Sequence, residues 1–108
     1  MTVIAHAAAV ATPLIINTPA AATQCIPIDF TWTGGVAPFT LAYFLRAENI
    51  LEGGNVIQSF RGIPGQEFIW ATNVTGGVSL DVQLQDSAGA AAFTAPFEIS
   101  ASTNTGCL

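Results

Sequence analysis

The stretch VSLDVQLQ at residues 78–85 decides the fold class, because apolar and polar side chains alternate along its whole length. A period of two residues is typical of a β-strand with one face in a core and the other in water. The stretch IPIDFTW at residues 26–32 has the same period, with Ile26, Ile28, Phe30 and Trp32 on its apolar side. Two such segments indicate an all-β protein.

A third alternating stretch, FTAPFEIS, occupies residues 93–100. The period places Phe93, Ala95, Phe97 and Ile99 on one face and the intervening side chains on the other. Pro96 has no N–H to donate to a sheet, so it predicts an edge, a bulge or a break within this stretch.

Four further segments, at residues 14–17, 39–46, 56–61 and 67–71, are short and rich in aromatic or branched side chains. Glycine, proline and asparagine separate them, as expected for turns. About seven short strands favour an immunoglobulin-like β-sandwich of two sheets over a closed barrel. We therefore predict one β-sandwich domain at residues 13–108, preceded by a leader or N-terminal arm at residues 1–12.

Charged residues make up only 8% of the chain, which carries a net charge of -5 and contains no lysine. Nucleic-acid binding requires many basic side chains on the phosphates, so two arginines exclude that class. Residues 7–28 are uncharged and long enough to cross a bilayer. Three prolines and several polar side chains interrupt them, and we predict no transmembrane segment.

The two cysteines bracket almost the whole predicted core, with Cys25 at the head of the second strand and Cys107 after the last. We predict a disulfide between them, with two free thiols as the alternative. Small secreted domains use such bonds where the core is limited, so the pair also predicts a secreted protein.

Several motifs resemble one known family. They are LIINTP at 14–19, CIP at 25–27, FTWTGGVAPF at 30–39, FIW at 68–70, GGVSLDVQLQDSAG at 76–89 and PF at 96–97. Together they are similar to the immunoglobulin-like N-terminal domain of secreted, Ser/Thr-rich fungal cell-wall proteins. Those proteins are often anchored by glycosylphosphatidylinositol and are related to the yeast cell-wall β-1,6-glucan synthesis family. The resemblance implies a secreted or cell-wall location and no catalytic residues.

Catalytic chemistry finds little support in the residues themselves. The only histidine is His6 in the leader, so a Ser/His/Asp arrangement is not expected. Glu48 and Glu52 are the nearest approach to a glycosidase carboxylate pair, but solvated loop acids are the better interpretation. With one histidine and two paired cysteines we predict no metal site and no cofactor.

A binding role is the leading hypothesis. Trp32 and Trp70 share the phase of core residues, so we assign both to the interior. Tyr43, Arg46 and Arg61 are predicted to form an exposed patch for a hydroxyl-rich or carboxylate-bearing ligand. We expect a non-catalytic secreted domain that binds cell-wall glycan. The alternatives are a structural, self-associating protein and, more remotely, a small glycoside-active enzyme.

Two further expectations concern the surface. Asn73-Val74-Thr75 is an acceptor sequon followed by a Gly-Gly turn, so Asn73 is predicted to be exposed and is a candidate glycosylation site. Residues 2–16 carry much apolar surface, so we predict that they pack as an edge strand or across the interface of a homo-oligomer.

Overall fold

The computed structural model describes residues 13–45 and 56–108, which form two packed β-sheets with no helix. These ranges contain nine strands: β1 Ile15–Ile16, β2 Ala22–Thr23, β3 Ile28–Thr33, β4 Phe39–Leu45, β5 Val56–Ile63, β6 Glu67–Trp70, β7 Ser79–Gln85, β8 Ala91–Phe93 and β9 Phe97–Ser100. The described part of the chain also has no helix long and apolar enough to span a membrane. The predicted all-β sandwich is confirmed.

The smaller sheet has three antiparallel strands in the order β1-β3-β6. Phe30 and Trp32 on β3 point into the core, as their alternation predicts, and Asp29 and Thr33 point outward. Ile15 pairs with Thr33, so the end of the predicted N-terminal segment forms an edge strand. Residues 2–12 of that segment lie outside the described residues.

The larger sheet has six strands in the order β2-β9-β7-β4-β5, with β8 also paired to β7. The order β9-β7-β4-β5 corresponds to strands G, F, C and C′ of an immunoglobulin-like sandwich, and β3 and β6 correspond to B and E. The short β2 runs parallel to β9, and the other pairs are antiparallel. The first strand is thereby divided between the two sheets.

Aromatic rings dominate the core between the sheets. Tyr43 contacts Phe30 edge-on at 5.5 Å between ring centroids, and Trp70 at 4.5 Å. Trp32 packs against Phe39 at 5.4 Å. Both tryptophans are buried, which confirms their assignment to the interior.

The predicted exposure of Tyr43 is wrong, because its side chain is 0% exposed. Phe39, Leu41 and Tyr43 follow one another at a spacing of two along β4 and all face the core. The phase of the strand therefore places the ring inside, whatever the polarity of its hydroxyl. Burial also raises the pKa of Tyr43 far above its ordinary range.

The third alternating stretch breaks at Pro96, which separates β8 from β9. The break reverses the phase. Ile99 points inward as predicted, but Phe93 points outward and is 60% exposed. Thr94 is buried instead, and its hydroxyl accepts a hydrogen bond from the backbone N–H of Val82 at 3.1 Å. The prediction that Phe93 shares a face with Ile99 is therefore wrong.

The Cys25–Cys107 disulfide is present and joins the start of β3 to the end of the chain, with a Cα–Cα distance of 5.4 Å. The buried Thr72 lies beside it. The backbone carbonyl of Thr72 accepts a hydrogen bond from the N–H of Cys25 at 3.0 Å. The predicted disulfide is confirmed.

Candidate functional site

A continuous row of side chains crosses the outer surface of the larger sheet. Ala42 on β4 pairs with Ser59 on β5 and with Gln83 on β7, and Gln83 pairs in turn with Phe93 on β8. The inward neighbours of these residues, such as Leu41 and Leu84, are buried, so the row itself faces solvent. Across four strands it spans roughly 14 Å.

A second row lies beside the first, where Gln85 pairs with Thr40 and with Ala91. We call the two rows together the polar face, formed by Thr40, Ala42, Ser59, Gln83, Gln85, Ala91 and Phe93. Its centre is occupied by the small side chain of Ala42, with the amide of Gln83 on one side and the hydroxyl of Ser59 on the other. The result is a shallow polar surface with an exposed aromatic ring at one end.

The glutamines of the polar face differ from the others in the protein. Gln24, Gln58 and Gln66 all hydrogen-bond to the protein through their side chains. Gln83 and Gln85 make no side-chain hydrogen bond to any described residue. Each therefore has amide donors and a carbonyl acceptor available for a ligand.

None of the seven residues that form the polar face is charged. Asp81 lies in the next row, opposite Phe44. A register shift between Phe39 and Leu41 leaves Arg61 and its neighbour Gly62 opposite Thr40, at the border of the face. Such a surface suits a neutral ligand rich in hydroxyl groups better than an ionic one.

The structure does not assemble the predicted ligand site of Tyr43, Arg46 and Arg61. Tyr43 is in the core, Arg46 lies outside the described residues, and only Arg61 is exposed on the surface. Arg61 also lines an open groove of about 460 Å³ between the end of β5 and β6. Of the two predicted binding residues that the structure describes, only Arg61 is at a surface able to receive a ligand.

The groove is a less suitable glycan site than the polar face. Glu67 also lines the groove, and a side-chain hydrogen bond to Asp29, together with the negative charge of Asp29, raises the pKa of Glu67. Two directly hydrogen-bonded carboxyl groups lack the separation of about 5 to 10 Å that glycoside hydrolysis uses. Glu48 and Glu52, the other carboxylates considered, lie outside the described residues.

Asp86 has a structural role beside the polar face. Its carboxylate accepts hydrogen bonds from the backbone N–H groups of Ala90 at 2.8 Å, Val36 at 3.0 Å and Ala88 at 3.0 Å. Burial of this carboxyl acts to raise its pKa, but the backbone donors outweigh it and hold the pKa of Asp86 below its ordinary value. These bonds connect the β3–β4 loop to the β7–β8 turn.

Among residues 13–45 and 56–108, no group of three or more His, Cys, Asp or Glu side chains could hold a metal ion. No protein-family model, no curated protein and no solved structure significantly matches the chain.

Sequence reasoning missed the polar face for two reasons. The alternation of β7 did place Gln83 and Gln85 outward, but nothing in the sequence showed which strands lie beside them. Phe93 was predicted to face the core, because the period was continued across Pro96. A proline inside an alternating stretch is itself a signal that the phase on its two sides can differ.

Proposed function

We propose that this protein is a non-catalytic, secreted glycan-binding domain whose ligand lies across the polar face. The observation that carries the proposal is the contrast among the glutamines: the side chains of Gln83 and Gln85 make no hydrogen bond to any described residue, while those of the other three are hydrogen-bonded. Two adjacent amides on a rigid sheet give fixed positions for donors and acceptors. Sugar hydroxyls require both kinds of partner.

Phe93 supplies the complementary apolar contact. It is 60% exposed at the end of the Gln83 row, where the apolar C–H face of a sugar ring can stack on the aromatic ring. A row of roughly 14 Å fits a short oligosaccharide or a segment of a polysaccharide. The Cys25–Cys107 disulfide is consistent with an extracellular setting, where such ligands occur.

The test combines a glycan array with a pull-down on insoluble glucan. Phe93→Ala and Gln83→Ala each remove one contact from the polar face. Ile69→Ala is the matched control, because Ile69 is 65% exposed on the smaller sheet and its truncation removes apolar surface elsewhere. Thermal unfolding of all variants shows whether the fold is retained.

We expect Phe93→Ala and Gln83→Ala each to weaken binding about fivefold to tenfold, the loss expected from one stacking contact or one hydrogen bond. Ile69→Ala should bind like the parent. Absence of binding to every glycan tested, or an equal loss for Ile69→Ala and Phe93→Ala, would refute the proposal.

Self-association is the second candidate function, and the exposed apolar surface favours it. Exposed large apolar side chains occur on both sheets and in loops of the described residues: Ile15, Ile26, Val36, Leu45, Val56, Ile57, Ile69, Phe93 and Leu108. Few charges are available to keep such surfaces apart. Light scattering over a range of concentrations separates this function from glycan binding, since only self-association raises the mass without added ligand.

A further inference from the structure

We infer that Asn73 is an N-glycosylation site and that the β6–β7 loop is a rigid carrier for its glycan. Asn73-Val74-Thr75 has the acceptor pattern of a sequon, with a permitted middle residue. The motif lies in the connection between β6, which ends at Trp70, and β7, which begins at Ser79. The inference concerns a modification and is independent of the proposed glycan binding.

The exposure of the sequon matches what an attached glycan requires. Asn73 and Thr75 are exposed, whereas Thr72 is buried and Val74 packs partly against the core. Thr72 has a φ of 52°, in the left-handed region that non-glycine residues seldom adopt. That conformation turns the chain so that the buried Thr72 is followed at once by an outward Asn73.

Hydrogen bonds on both sides of the sequon fix the loop to the rest of the domain. The hydroxyl of Thr72 donates to the carbonyl of Ile26 at 2.6 Å. On the other side, the N–H of Gly76 donates to the buried side chain of Gln24 at 2.8 Å, and the N–H of Gly77 donates to the carbonyl of Ile99 at 2.7 Å. None of these bonds uses the side chain of Asn73, so a glycan there leaves them intact.

A glycan at this position also suits the composition of the surface. With 8% charged residues and 51% hydrophobic residues, the protein has few ionised groups to hydrate it. A bulky hydrophilic modification adds solvation without adding charge. The loop joins β7 at Ser79, four residues before Gln83, which places the polar face about 13 Å further along the strand.

The test is expression of the full chain behind a secretion signal in a eukaryotic host. Intact mass is measured before and after treatment with an N-glycan-releasing amidase, on both the secreted and the cell-retained protein. Asn73→Gln and Thr75→Ala remove the sequon, whereas Thr75→Ser preserves it. Asn17→Gln is the matched control, since Asn17-Thr18-Pro19 has no hydroxyl at its third position.

We expect the amidase to remove a glycan from the parent, from Thr75→Ser and from Asn17→Gln, and to leave the mass of Asn73→Gln and Thr75→Ala unchanged. The glycosylated protein should also contain the Cys25–Cys107 disulfide, because the modification does not disturb the loop. An amidase-insensitive mass for the parent in both pools overturns the inference, as does a glycan that persists in Asn73→Gln.

Discussion

Replacing both Cys25 and Cys107 by alanine should cost the domain much of its stability. The two residues are 82 positions apart, so the disulfide closes a long loop in the unfolded chain. In the chain-entropy description, a loop of this length restricts the unfolded state by about 4.5 kcal/mol at 25 °C. Small domains have a net stability of roughly 5 to 15 kcal/mol, so the double variant should be marginally stable.

Urea unfolding followed by tryptophan fluorescence measures this loss, because Trp32 and Trp70 are both buried. With a denaturant dependence of about 2 kcal/mol per molar urea, the midpoint should fall by about 2 M. Chemical reduction of the parent should give a similar fall, which controls for the alanine side chains. A fall of less than about 0.5 M in both experiments would refute the entropic reasoning.

Two further predictions concern buried polar groups. Tyr43→Phe should raise the free energy of unfolding by about 1 kcal/mol, since the Tyr43 hydroxyl is buried without a hydrogen bond to any described residue. A decrease of similar size in the free energy measured by urea unfolding would contradict this prediction. Asp86→Asn should destabilise the protein at pH 7. Because backbone donors lower the folded-state pKa of Asp86 against the opposing effect of burial, its contribution is complete above the ordinary aspartate pKa and is lost as the pH falls through the folded-state pKa. The difference in free energy of unfolding between the parent and Asp86→Asn should therefore become smaller below about pH 4. A difference that stays constant with pH would contradict the prediction.

The elements that could be predicted from the sequence are those with an uninterrupted period. The alternation at residues 78–85 and 28–32 correctly gave the inward faces of β7 and β3, including Trp32. Ile26 was predicted to share that face, but it precedes β3 and is exposed. The two-residue strand β2 was not predicted, because a strand of that length has no period to detect. Its existence depends on pairing with β9 far along the chain.

The candidate site was harder to predict, because it depends on which strands are neighbours. Ser59, Gln83 and Phe93 come from three separate strands, and only the sheet order brings them into one row. The burial of Tyr43, by contrast, could be predicted, because a spacing of two residues from Leu41 places both side chains on the same face of β4. The polar hydroxyl favours exposure and the phase of the strand favours burial, and the buried ring shows that the phase determines the orientation of Tyr43.

The disulfide at the end of the chain also has a mechanical consequence. Tension applied at Leu108 passes through Cys107 directly to Cys25, so strands β3 to β9 lie inside a closed loop and cannot be drawn out. Of the described residues, only 13–24 could then be drawn out, for an extension of roughly 40 Å against roughly 280 Å for the chain held within the loop. Such a pull would peel β1 from β3 and β2 from β9. With the disulfide intact, such a pull cannot unravel the chain between Cys25 and Cys107.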